Sequence, residues 1–182
     1  FQIFLDTGLS EEVPGFRGKK ENLALYPQLN FSPTNEANLW ALMIILLKLP
    51  NDKIPHFMRM WKNSNAMERQ VADIVAFFDL ISSHAPNNYD LYKAGLETIV
   101  STIDLAHILG QPINGSALVD SYEALPIKNN RDLVVDGHFL LKNGIPAGPR
   151  VGLLLEEIKK AVLEGVISNN EAAITEFISS NH

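Results

Sequence analysis

No cysteine occurs in the 182 residues. That removes disulfides, thiolate metal ligands and a cysteine nucleophile together, and it leaves no need for an oxidising compartment. Long hydrophobic runs are missing as well. The most apolar stretch, Leu39 to Leu49, is far short of the roughly twenty residues that a bilayer-spanning helix needs. It reads instead as a helix buried on all sides. Nothing near the start reads as a signal peptide. The expectation is a soluble, cytoplasmic protein with no membrane partner.

The signatures of catalysis are lacking too. There is no G-x-x-x-x-G-K-[ST] phosphate loop and no dinucleotide-binding glycine fingerprint. No His-Asp dipeptide supports a metal-dependent phosphohydrolase. His56, His84, His107, His138 and His182 stand singly, without H-E-x-x-H spacing. No pair of aspartates two apart is present to hold the metal ions of nucleotidyl transfer. The chain reads as non-catalytic, with no cofactor of its own.

What the sequence does contain is helical periodicity and enough apolar residues, 46%, to bury a sizeable core. Ser32-Pro33 reads as an N-cap and first-turn proline ahead of the Trp40–Leu49 helix, which Pro50 ends. Ile54, Phe57, Met58 and Trp61 mark one side of a short helix. Asn65 with Glu68 resembles a capping box before Val71, Ile74, Phe78 and Ile81. A further helix is expected to turn Leu96, Ile99, Val100, Ile103 and Ala106 inward, and Ser116 to cap another. Asp136 caps a helix closed by Gly144, and Gly148-Pro149 opens one with Val151, Leu155, Ile158 and Val162 inward. Ser168 with Glu171 reads as the capping box of the last helix. The fold class is all-α, a multi-helix bundle of short and medium helices.

The net charge of −6 is unevenly spread. Lys48, Lys53, Arg59, Lys62 and Arg69 face only Asp52 and Glu68 in their segment. Lys128, Arg131, Lys142, Arg150, Lys159 and Lys160 outnumber the four acids between Leu125 and Lys160. From Gln70 to Ala124 the balance reverses, with one base against seven acids. Such segregation suits a surface that offers cations to phosphates, although ordinary solvated helix faces would give the same counts. The segment Gly144 to Gly152 adds a candidate anion site, where Gly148, free N–H groups of a helix start and Arg150 coincide. Glycines placed only for close helix packing are the competing explanation.

Leu125-Pro126-Ile127, Arg131-Asp132-Leu133, Gly137 and the run Gly144-Ile145-Pro146-Ala147-Gly148-Pro149-Arg150-Val151-Gly152 resemble the tail of bacterial (class II) CCA-adding enzymes, the tRNA nucleotidyltransferases. Phe57-x-Arg59-x-Trp61-Lys62-x-Ser64-Asn65 is similar to their basic segment, and Val13-Pro14-Gly15-Phe16 to a turn near the start of their body. Phe139 stands where those enzymes usually carry an acidic residue, and Asn63, Asn129 and Asn130 also depart from their commoner choices. The resemblance implies a body plus tail arrangement, with residues 1–62 as the remainder of a helical body and residues 63–182 as a helical tail. The head and neck would lie outside the chain, which opens on Phe1 in what reads as the last turns of a helix.

On this resemblance the partner is tRNA, not DNA. CTP, ATP and Mg2+ would be engaged only by the absent head and neck, which would also decide whether all or part of CCA is added. The implied role is to grip tRNA by shape and phosphates so that its 3′ end reaches the catalytic head. The candidate RNA-binding residues are Lys53, Arg59, Lys62, Arg69, Lys128, Arg131, Lys142, Gly148 and Arg150. A helical protein-interaction or dimerisation module is the alternative.

Overall fold

A computed structural model describes residues 2–26, 29 and 35–181, with the backbone alone for Gln2 and Asn181. Among the described residues the regular structure is helical and there is no strand. The chain divides into two compact units, one of Phe1–Ala85 with Leu96–Gly115, the other of Pro86–Gly95 with Ser116–His182. The boundary drawn from the resemblance, between residues 62 and 63, falls between two helices of the first unit.

The first unit contains α1 (Gln2–Asp6), α2 (Lys20–Leu23), α3 (Glu36–Leu47), α4 (Ile54–Met60) and α5 (Asn65–Ser83), with the later part of α6 (Asn88–Ile108). α3 is its centre. Ala41, Leu42, Ile44 and Leu47 are fully buried, and the helix packs chiefly on α5 through Val71, Ile74, Val75 and Phe78. A helix apolar on every side has to be enclosed on every side, as the Leu39–Leu49 run implied. Ser32 and Pro33 lie outside the described residues. The described cap of α3 is Asn35, whose side chain accepts from the Asn38 N–H at 2.8 Å. At the start of α5 the cap is Ser64, accepting from the Met67 N–H, so Asn65 is the first helical residue instead of the cap. Both residue types cap well, and in Ser64-Asn65 the serine is the one held extended (φ −69°, ψ 156°).

α6 departs from expectation in its inward face. Ile99, Thr102, Leu105 and Ala106 are buried, whereas Leu96 and Val100 are exposed. Thr102 and Ser101 fill buried positions that a count of apolar residues passes over. The helical geometry also breaks at Gly95 (φ 72°, ψ 160°), so the register is not continuous across it.

The second unit contains the first residues of α6 with α7 (Gly115–Glu123, from Ser116 on), α8 (Gly137–Lys142), α9 (Pro149–Leu163) and α10 (Glu171–Asn181). Its core includes Leu91, Ile127, Leu140, Leu154, Ile158, Val162 and Ile174. On α9 Leu154, Ile158, Val162 and Leu163 are fully buried, with Val151 and Leu155 only partly covered. α7 begins at Gly115, one residue before the expected cap Ser116. Asp136 caps α8 as expected, accepting from the Phe139 N–H at 2.9 Å. Asn170 caps α10 through the Ala173 N–H in place of Ser168, which is two residues further from the helix.

A cluster of rings shows what the Val13–Phe16 turn is for. Phe16 lies 6.0 Å from Trp61 and 6.4 Å from Phe57, and Trp40 lies 5.7 Å from Trp61. Gly15 adopts φ 86°, and a Cβ there would stand 2.6 Å from Cε2 of Phe57. The residue must therefore be glycine both for its backbone and for the ring it touches. Gly18 has a similar φ of 71° and nothing within reach of an added Cβ. Gly15→Ala is expected to cost about 2–4 kcal/mol in urea unfolding, from the left-handed backbone and overpacking together. Gly18→Ala should lose only about 1–2 kcal/mol. Equal losses would contradict the close packing on Phe57.

Candidate nucleic-acid interface

Of the candidate cations in the first unit, Lys53 and Lys62 flank α4, Arg59 lies on it and Arg69 lies near the start of α5. A 3-10 turn, Asn51–Lys53, leads into the helix, and Pro55 occupies its second position, where no N–H is required. Lys53 pairs with Asp52 at 3.3 Å, both well exposed, an interaction worth little. Arg59 donates to the Pro55 carbonyl at 3.0 Å and lies 3.7 Å from the Glu68 carboxylate. Lys62 closes the helix in a left-handed conformation, φ 57°. Its N–H donates to the Arg59 carbonyl, and the next N–H, of Asn63, donates to the Met58 carbonyl at 3.1 Å. The Asn63 amide reaches that same carbonyl at 3.3 Å. This is a Schellman-type ending, normally built on glycine. Lys62 and Arg69 are exposed, and among the described residues neither side chain has an ion-pair partner.

In the second unit a fixed turn carries Arg131. Asp132 accepts the Lys128 N–H at 2.8 Å and the Asn129 N–H at 3.1 Å, while Asn129 accepts the Arg131 N–H at 2.9 Å. Asn169 then bridges both sides of Leu133, donating to the Asp132 carbonyl at 2.8 Å and accepting the Val134 N–H at 3.1 Å. The Tyr92 hydroxyl donates to Asn130 at 2.8 Å. Asn129 and Asn130, two departures from the family pattern, are thus both employed in holding the turn. Arg131 projects from it exposed. Lys128 is bonded to Glu123 and sits 5.7 Å from the Tyr122 ring centre. Lys142 is exposed in the last turn of α8, where a cation suits the helix dipole.

Gly148 and Arg150 are exposed at the start of α9. The Val151 N–H is already taken by the Gly148 carbonyl at 3.1 Å, which leaves fewer open donors than a bare helix start implies. Close packing does not account for the glycines here. A Cβ at Gly148 or Gly152 would meet nothing within 4 Å, and it is Gly137 that lies against Val151, at 3.3 Å. Gly148 is glycine because of its φ of 145°. Gly152 lies inside a helix, where glycine costs about 1 kcal/mol relative to alanine, and no steric contact requires it.

Two features escaped the sequence reading. Lys159, counted in a basic segment, is 7% exposed and bonded to Glu156, so it serves the scaffold. Lys93, the only base of the acidic segment, lies 5.1 Å from the ring centre of Tyr89, as Lys160 does at 4.9 Å. A dibasic pair and a Tyr-x-x-x-Lys spacing on one helix face were the available signals. The groove of about 460 Å³ along Asn88, Pro126, Val162, Gly165 and Asn169 has Glu164 as its one charged lining residue, which does not suit phosphate. Among the described residues no three His, Asp or Glu side chains converge. No described helix is long and apolar enough to cross a membrane.

A family model described as tRNA nucleotidyltransferase domain 2 matches residues 31–178. The chain belongs to the tRNA nucleotidyltransferase domain 2 family. It is 98% identical over its whole length to the CCA-adding enzyme of Lactobacillus johnsonii, covering 46% of that protein. It is 57% identical over 178 residues to the CCA-adding enzyme of Lactobacillus helveticus, 98% of this chain and 45% of that one. The crystal structure of the Bacillus stearothermophilus CCA-adding enzyme in complex with CTP is similar with a TM-score of 0.88 at 28% identity, covering 97% of this chain and 46% of that one. The chain thus spans under half the length of these relatives.

In this tRNA nucleotidyltransferase domain the Arg131 turn is expected to respond to acid through Asp132. The Lys128 N–H holds the Asp132 carboxyl below the usual carboxylate range against some loss of solvation, helped by the N–H and amide of Asn129. A depressed folded pKa gives stability that is fully present above the unfolded value, about 3.9, and is lost as pH falls through the lower folded value. Unfolding midpoints should drop below about pH 4, and the drop should be smaller in Asp132→Asn. A variant with the same acid dependence would contradict this role for Asp132.

Proposed function

We propose that the chain is the non-catalytic tRNA-gripping portion of a cytoplasmic CCA-adding nucleotidyltransferase. It holds tRNA by phosphate contacts while a catalytic portion outside the chain uses CTP and ATP at the 3′ end. Membership of the family and the high identity to CCA-adding enzymes support this reading. The observation that carries it is Lys62. A left-handed conformation costs a side-chain-bearing residue about 1–2 kcal/mol, and glycine would serve the helix ending better. Lysine stands there instead, exposed and with no ion-pair partner among the described residues. Strain held at one position is reasonable where the side chain has work to do.

A protein that accepts every tRNA has to bind what all tRNAs share, the sugar–phosphate backbone and the shape of the folded helix. Lys62, Arg69, Arg131 and Lys142 are suited to such contacts. Lys53, Arg59 and Lys128 would first have to leave a carboxylate, which lowers their share. Arg150 and the Gly148 backbone add an anion site at a helix start, with Gly152 leaving room for a close approach.

Lys62→Gly separates binding from stability. It should raise the stability of the chain by about 1 kcal/mol and weaken tRNA binding severalfold in a filter-binding titration at low salt. Arg150→Ala should likewise weaken binding with little change in melting temperature. If Lys62→Gly binds tRNA as well as the parent, the lysine belongs to the scaffold and the reading loses its main support.

A further inference from the structure

Tyr89 is held at two points. Its hydroxyl donates to Glu156 at 3.2 Å, and its backbone N–H donates to Glu164 at 3.3 Å. Glu156 is in turn bonded to Lys159, whose buried ammonium lies 5.5 Å from the Tyr92 ring centre. Two exposed lysines lie near the Tyr89 ring. Lys160 of α9 brings its ammonium to 4.9 Å from the ring centre, and Lys93 of α6 brings its own to 5.1 Å. Neither has an ion-pair partner among the described residues. Glu156 is bonded to Lys159 and the Tyr89 hydroxyl, and its charge also acts on Lys160, while Glu164 accepts the Tyr89 N–H and Asp90 the Asn87 N–H at 3.2 Å.

We infer that Lys93 and Lys160, set over Tyr89, form a phosphate clamp for the RNA backbone in the second unit. The inference rests on the tRNA reading and extends it to residues that lie far apart in sequence. Two ammonium groups that both lie near one ring centre repel each other, and the ring and the Glu156 carboxylate offset that only in part. A phosphodiester between them would remove the repulsion and gain charge-assisted hydrogen bonds. Because Glu156 holds the Tyr89 hydroxyl, the ring that both lysines lie near is oriented before any ligand arrives, which lowers the ordering cost of binding.

The test compares the unsubstituted chain with Lys93→Gln/Lys160→Gln, and with Lys19→Gln/Lys20→Gln in the first unit as control. Each is titrated with tRNA over a range of salt, and lysine acetylation is mapped with and without tRNA. Each lost phosphate contact should flatten the plot of log affinity against log salt by about 0.7–0.9. The double variant should therefore lose roughly 1.5 units of slope and about tenfold or more in affinity at low salt, while the control keeps both. In the unsubstituted chain tRNA should shield Lys93 and Lys160 from acetylation but not Lys19 and Lys20. An unchanged slope in a variant that still binds, or acetylation of Lys93 and Lys160 undiminished by bound tRNA, would overturn the clamp and leave the tRNA reading standing. No binding by the unsubstituted chain would overturn both.

Discussion

Asn169 holds the chain on both sides of Leu133, giving one hydrogen bond to the Asp132 carbonyl and taking one from the Val134 N–H. Much of the second unit's surface follows from that pair of bonds. The 128–134 segment has too few residues for a helix of useful length, so polar side chains must supply the order that a helical ladder would. Asn129 and Asp132 satisfy the turn from within, Tyr92 and Asn169 from outside. The outcome is an arginine with a defined origin and an exposed side chain, which is what the proposed phosphate contact requires.

The first unit reaches the same end through its apolar core. α3 can be apolar on every side from Leu39 on only because α5 and the aromatic cluster enclose it, and Gly15 lets the Phe57 ring close that enclosure. With the core so placed, α4 must end abruptly before α5 begins, and Lys62 is the residue that turns the corner. Packing thus decides where the bend falls, and the residue chosen for the bend is a cation.

The all-helical class, the buried α3 and the Asp136 cap could be read in the sequence because each depends on neighbours within a turn or two. Errors arose where neighbours compete or where the decisive contact is distant. Ser64 and Asn65 are both good caps, and only the backbone geometry picks the serine. Ser168 lost to Asn170 for the same kind of reason. Thr102 and Ser101 are buried, so the α6 face could not be found by following apolar residues. Charge counts along the chain put Lys93 in an acidic segment and Lys159 in a basic one. Folding sets Lys93 and Lys160 each near the Tyr89 ring and buries Lys159 against Glu156. Nine cations and glycines were nominated from the sequence, and the partners that engage Lys53, Arg59 and Lys128 are carboxylates near each of them in sequence.

If fixed, largely unneutralised cations meet RNA phosphates, the chain should respond to the shape common to tRNAs and not to their bases. The most direct measurement is competition among several tRNAs of unrelated sequence for the unsubstituted chain at one low salt concentration. Affinities within about threefold of one another, with the same salt dependence for each, are the predicted result. A strong preference for one tRNA sequence, or binding that ignores salt, would contradict the account.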